Sequence, residues 1–243
     1  MTYCVGLCVR QGLVMLSDTR TNAGLDNIST FSKMYAVDHP GERALVLLTA
    51  GNLAITQTVW NLLEQGVLLE GAQLRLSEVH DMFAAAQLVG AAVREVQRRD
   101  GAALAAQGLG FDSSILLGGQ IAGSAPRLFL IYSAGNFIEA TEDTPFLQIG
   151  EHKYGKPILD RVLTPDTSLV EGVALTLISM DSTIRSNLSV GLPLDLAVIR
   201  AGEMRLCLRR RVTEDDPYYR TIRDGWSNAL RDAYQALPRP DFL

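Results

Sequence analysis

The sequence predicts an α+β fold in which two antiparallel sheets are stacked between outer layers of helix. Three observations carry this reading. Strands follow strands across short turns and helices follow helices in blocks, so pairing runs through hairpins rather than βαβ crossovers. Several strands are apolar on both faces, as a sheet covered on each side requires. The 243 residues are 47% hydrophobic and 20% charged, which excludes a disordered chain, a fibre and a coiled coil and provides for a substantial core.

Residues 2–9 alternate Tyr3, Val5, Leu7 and Val9 against Thr2, Cys4, Gly6 and Cys8, and the apolar run 13–17 follows Gln11-Gly12, which reads as a hairpin. Residues 18–26 read as a polar loop, and 32–37 with 44–49 as a second strand pair turned at His39-Pro40-Gly41. Two helices are expected next. Residues 56–69 place Val59, Leu62, Leu63 and Val67 on one face, and 77–107 place Val79, Phe83, Ala86, Val89, Val93 and Val96 at steps of three and four. Ser77 is the expected N-cap of the second, with Gly90 and Gly101 as interruptions. Strands return at 113–118, 127–132 and 137–140. Helices are expected over 153–163 and 168–186, a hairpin over 194–200 and 204–208 through Gly202, and a final amphipathic helix over 217–237.

With 22 basic and 27 acidic residues the formal charge is −5, the wrong sign for tracking phosphates, and Arg209–Arg211 are followed at once by Glu214, Asp215 and Asp216. We read those two runs as a solvated, self-compensating surface, with no nucleic-acid partner. Three cysteines (Cys4, Cys8 and Cys207) make neither a disulfide framework nor a zinc pattern. No signal peptide is expected. The uncharged stretch 44–63 is too polar to span a membrane, with Thr49, Gly51, Asn52, Thr56, Gln57, Thr58 and Asn61 in it. A cytoplasmic protein without membrane, metal or cofactor is the expectation.

Familiar catalytic motifs are missing: there is no Gly-x-Ser-x-Gly elbow, P-loop, Rossmann fingerprint or His-Glu-x-x-His helix, and His39, His80 and His152 are scattered. The alternative is a nucleophile that carries its own base. Thr2 stands behind Met1; excision of Met1 would leave a hydroxyl and an α-amino group two carbons apart. A free α-amine titrates near about pH 8, so it can take the hydroxyl proton and return it to a leaving amine. A chain can also begin Met-Thr by chance. Asp18 and Lys33 strengthen the functional reading. A β-hairpin returns Asp18 to the sheet end where Thr2 begins, and an ammonium near the Thr2 hydroxyl favours the reactive form if a carboxylate orients it. Ala50-Gly51 follows a buried strand, where a backbone N–H could serve an oxyanion.

Thr2, Ser17-Asp18-Thr19-Arg20-Thr21, Lys33 and Thr49-Ala50-Gly51 resemble the active-site landmarks of proteasome β subunits and the bacterial HslV protease. More closely, Thr-Tyr-Cys-Val-Gly-Leu at 2–7, the stretch 17–24, Asn27-Ile28-Ser29-Thr30-Phe31 and Phe111-Asp112-Ser113-Ser114 leading to Gly118-Gly119-Gln120-Ile121 are similar to the bacterial proteasome-like family Anbu. The resemblance spans most of the chain. It implies a four-layer αββα N-terminal nucleophile hydrolase sandwich, one proteasome-like domain over 1–243 with a helical extension from about 215. It also implies a role for each landmark: Thr2 as nucleophile, its amine as base, Asp18 supporting Lys33, and the Gly51 N–H as oxyanion donor.

The sequence departs from the proteasome pattern in three places. Glu151 stands in Ile149-Gly150-Glu151-His152 where proteasome subunits carry a serine. Ser186 and Ser189 occupy the approximate place of an aspartate–serine pair, where they could equally cap a helix end, and Lys33 is one residue nearer Thr2. The resemblance implies a threonine peptidase acting on peptides or unfolded protein inside a homo-oligomeric ring or open spiral, with an ATP-dependent unfoldase left open. Two alternatives stand beside it. One is a proteasome-fold scaffold with a weak or unused site, for which the full Thr2, Asp18 and Lys33 set has no chemical need. The other is a small-molecule amidase, for which the chain has no long insertion to build a pocket.

Overall fold

The structure, a computed structural model, describes residues 2–22 and 28–242. Met1 and the stretch 23–27, with Gly24 and Asn27 of the motifs above, lie outside the described residues. The chain runs β1 (Tyr3–Val9), β2 (Gly12–Asp18), β3 (Arg20–Asn22), β4 (Ile28–Thr30), β5 (Met34–His39), β6 (Arg43–Gly51), α1 (Leu53–Gln65), β7 (Val67–Leu69) and β8 (Ala72–Leu74). It continues through α2 (Met82–Ala106), β9 (Ser113–Ile121), β10 (Arg127–Ile131), β11 (Phe137–Glu139), β12 (Phe146–Gly150), α3 (Lys156–Val162), α4 (Leu169–Ser186), β13 (Leu194–Arg200), β14 (Leu206–Val212) and α5 (Pro217–Ala236).

Two five-stranded antiparallel sheets form the centre, ordered β12-β1-β2-β13-β14 and β11-β10-β9-β6-β5. The strand alternation divides the apolar side chains into three cores. Tyr3, Val5, Leu7 and Val9 of β1 turn outward to meet Leu159, Leu177, Met180 and Tyr219 from α3, α4 and α5. Cys4 of the same strand turns inward with Leu13 and Met15, against Val46, Leu48 and Leu116 of the facing sheet. Leu45 and Leu47 of β6 point the other way, into Val59 and Leu63 of α1 and Leu88, Val89 and Val93 of α2. Three interlayer cores mean four layers, so the α+β sandwich expected from the sequence is the fold observed.

Local boundaries differ where backbone chemistry outweighs periodicity. The helix expected over 56–69 begins at Leu53 behind an Asn52 cap and stops at Gly66, whose φ of 115° ends it; Val67–Leu69 then pairs with Ala72–Leu74. Asp81, not Ser77, caps α2, its carboxylate accepting the Ala84 N–H at 2.7 Å. Gly90 does not interrupt α2: its missing Cβ makes room for the Gly135 carbonyl. The polar loop over 18–26 contains β3, paired with β4. The second strand of the last hairpin runs on to Val212, so the arginine triplet lies within β14. There Arg210 pairs with Asp216, and Arg211 with Asp195 at 2.8 Å.

Register brings the landmarks to one end of the stack. In the β1–β2 hairpin Cys4 opposes Ser17, so Thr2 and Asp18 lie at the same end. Tyr3 opposes Gly150, which carries Glu151 there from β12. In the facing sheet the Thr49 N–H donates to the Lys33 carbonyl at 3.0 Å, and Gly51 opposes Ser113.

Candidate active site

Thr2 is buried at the mouth of β1, and its carbonyl accepts the Glu151 N–H at 2.8 Å. Gly150 is required for that contact: it sits at φ 79°, and a Cβ there would fall onto the Thr2 carbonyl. One residue on, the Tyr3 N–H donates to Asp18 Oδ1 at 3.2 Å. Lys33 Nζ reaches the same oxygen at 2.7 Å and donates also to the Arg20 carbonyl at 2.6 Å. The Gly191 N–H approaches Asp18 Oδ2 at 3.4 Å. The Asp18 side chain is fully buried and that of Lys33 is 5% exposed, so this is an ion pair inside the protein.

Burial pushes the Asp18 carboxyl above its ordinary value, because the charged form loses its water. The Lys33 ammonium pulls the other way, with the Tyr3 and Gly191 N–H groups adding smaller effects. A buried pair survives when its remaining hydrogen-bonding capacity is filled. Here two backbone N–H groups complete the carboxylate and a backbone carbonyl completes the ammonium.

Lys33 of this pair lines a cavity of about 740 Å³, and Asp18 lies behind it; Thr2, Gly51 and Glu151 line the same cavity with Thr21, Ser29, Phe31, Asn52, Thr56 and Asp112. Gly51 ends β6 at φ 103°, a conformation that a side chain would strain. Thr2, Asp18, Lys33, Gly51 and Glu151 are thus brought together from five separate segments. Ser186 and Ser189 do not line the cavity. Ser186 is the exposed last residue of α4, and the Ser189 N–H donates to Asn187 Oδ1 at 2.9 Å. Their loop reaches the site through its backbone, at Gly191, and Arg20 holds it by donating to the Leu188 carbonyl at 2.9 Å.

Several features escaped the sequence. Strand β12 was not anticipated, although Phe146, Leu147 and Ile149 around Gln148 carry a strand-like pattern. The hydroxyl oxygen of Thr21 is buried without a hydrogen-bond partner and belongs to a residue of the cavity wall. Cys4, the nearest thiol to Thr2 in sequence, is fully buried with Sγ 3.7 Å from the Thr49 carbonyl, and burial holds it as a thiol far above the ordinary range. Among the described residues no group of three or more His, Cys, Asp or Glu is placed to hold a metal ion, and no helix is long and apolar enough to cross a membrane.

No protein-family model matches the chain, and no curated protein matches it. Solved structures do. The chain is 49% identical to Anbu (ancestral β-subunit) from Yersinia bercovieri over 99% of this chain and 100% of that one, with a TM-score of 0.91. It is 52% identical to the chain of the helical assembly of the Anbu complex from Pseudomonas aeruginosa, over 99% and 98%, again with a TM-score of 0.91. A Gly-1 mutant of Anbu from Hyphomicrobium sp. strain MC1 is 47% identical over 99% and 100%, with a TM-score of 0.90.

Proposed function

Because the chain belongs to the Anbu family, we propose that it is a threonine-type amide hydrolase acting on peptides or unfolded protein within a homo-oligomeric particle. Thr2 Oγ attacks the substrate carbonyl carbon while the α-amine of the exposed Thr2 takes the hydroxyl proton. The Gly51 N–H receives the oxyanion of the tetrahedral intermediate. The amine gives its proton to the leaving amine, the carbon–nitrogen bond breaks, and an acyl ester remains on Thr2. Water, deprotonated by the same amine, then hydrolyses the ester. Lys33 favours the alkoxide-like oxygen throughout, and Asp18 keeps Lys33 aimed.

The observation that carries this reading is the Lys33 ammonium, fixed at 2.7 Å from Asp18 in the wall of the cavity that Thr2 lines. The proposed mechanism needs this buried charge at that position. A second reading, a proteasome-fold scaffold with a weak site, is favoured by Glu151 at the place of a serine and by the absence of Ser186 and Ser189 from the cavity wall. Intact-mass measurement after treatment with a β-lactone or epoxyketone separates the two. An adduct mapping to Thr2 supports the hydrolase. No adduct on a chain that begins at Thr2 favours the scaffold.

A further inference from the structure

The charges around Thr2 come from several segments and do not balance equally. Lys33, ahead of β5, and Asp18, ending β2, pair at 2.7 Å inside the protein. Asp112, ahead of β9, belongs to the far wall and is exposed. Glu151 follows β12 with its side chain only 18% exposed, and its partner Lys153 stands 3.7 Å away at 66% exposure, a loose and solvated pairing. His152 is exposed, its ring Nδ1 3.1 Å from the Gly150 carbonyl. Glu151 alone among these groups joins Thr2 through a backbone hydrogen bond, 2.8 Å from its N–H to the Thr2 carbonyl, and it lines the same cavity as Thr2.

We propose that Glu151 is an electrostatic brake on Thr2, its carboxylate holding the α-amino group of the exposed Thr2 in the charged, non-basic form around neutral pH. The inference rests on the reading of Thr2 as an N-terminal nucleophile. An amine can accept the hydroxyl proton only when neutral, and a carboxylate within about 4–6 Å stabilises its charged form by about 1–3 pH units. Lys33 opposes this effect but shares its charge with Asp18 at 2.7 Å, whereas Lys153 withdraws little from Glu151. A serine at this place would supply a hydrogen bond without the charge. Glu151 thus acts through the amine and moves the working range of the site to higher pH.

The test uses protein released to begin at Thr2 and reads the amine in two ways. Trace acetylation by acetic anhydride, followed on the N-terminal peptide across pH, titrates the amine whether or not the site turns over. The rate of β-lactone labelling across pH reads the same proton in the reaction. Glu151→Gln should lower the midpoint by about one pH unit in both, which is up to about tenfold faster labelling at pH 7. Glu151→Asp should restore the wild-type midpoint, Lys153→Met should raise it, and His152→Asn should leave it in place. Coincident acetylation midpoints for wild type and Glu151→Gln would overturn the proposal. A midpoint that shifts in a protein whose Thr2 never takes the lactone would support the brake and refute the hydrolase, so the two ideas fail separately.

Discussion

Lys33 Nζ lies 2.7 Å from Asp18 Oδ1, with both side chains essentially sealed from solvent. The same carboxylate oxygen accepts the N–H of Tyr3, the residue that follows Thr2. Asp18 therefore does two things at once: it fixes the backbone that presents Thr2, and it fixes the charge in the wall of the cavity that Thr2 lines. Lys33 is in turn tied to the Arg20 carbonyl, so its ammonium has little freedom to leave the cavity wall.

Removing the cation should abolish most reactivity. Lys33→Ala, tested with a threonine-directed lactone on protein beginning at Thr2, is expected to label about 10²–10³ more slowly than wild type. Equal rates would remove Lys33 from the mechanism. Asp18→Ala should lose at least as much, because it releases Lys33 and also leaves the Tyr3 N–H without its acceptor.

The same variant carries a signed pH dependence of stability. Without Lys33 the buried Asp18 carboxylate has no counter-charge, and its folded-state value, already raised by burial, rises further above that of the unfolded chain. A group raised on folding binds its proton more tightly in the folded state, so its destabilisation is full above the folded value and disappears below the unfolded one. Lys33→Ala should then lose about 3–5 kcal/mol at neutral pH, and the gap in Tm to wild type should narrow steadily toward roughly pH 4. A gap independent of pH would mean that Asp18 is not the group left unpaired.

Thiol chemistry should discriminate between positions. Cys4 is fully buried and strongly raised by burial, Cys8 is pushed up to about 11 by burial, and Cys207 is exposed. Iodoacetamide on the folded protein should modify Cys207 first and leave Cys4 untouched, with lactone labelling of Thr2 unchanged. Loss of Thr2 labelling in step with Cys4 alkylation would transfer the nucleophile to Cys4.

The layers were legible in the sequence because strand alternation is local: Tyr3, Val5 and Leu7 against Cys4 already separates the helix-facing from the sheet-facing side. The pairing of Asp18 with Lys33 was legible from hairpin logic and the family resemblance together. The stop at Gly66 was not, since Val67 continues the helical stripe and only its backbone reveals the turn. Nor was the contribution of Gly191, a backbone N–H delivered to Asp18 from 173 residues away, for which no side chain leaves a trace in the sequence.

Assembly can be tested on α5. Tyr219 anchors its first turn, buried and donating to Asp181 at 3.4 Å, while Leu230, Tyr234 and Leu237 further along are each more than half exposed at steps of four and three. That stripe is left uncovered by the chain itself, and aromatic and apolar residues of this kind suit an interface between copies. Native mass or light scattering should show a large homo-oligomer. Leu230→Glu with Tyr234→Glu should shift it toward smaller species while far-UV circular dichroism stays native. A wild-type protein that is only monomeric would end the particle model.

The last prediction concerns the residue ahead of Thr2. While Met1 is attached, the Thr2 nitrogen is an amide and cannot accept a proton, so the hydroxyl has lost its nearest base. The rest of the cavity cannot substitute. Lys33 is engaged by Asp18 and the Arg20 carbonyl, and Asp18 is buried behind it, occupied by Lys33 Nζ and the Tyr3 N–H on one oxygen and facing the Gly191 N–H with the other. Glu151 is a carboxylate, a weaker base than a neutral amine, and the three histidines are exposed, with none in the cavity wall. Protein retaining Met1 should therefore resist the lactone, and release of Thr2 by methionine aminopeptidase or from a cleavable fusion should switch labelling on. A Thr2→Ala chain processed in the same way should stay unlabelled. If the Met1-bearing protein labels at the rate of the processed one, the amine is not the base, and the mechanism must be rebuilt around another group of this cavity.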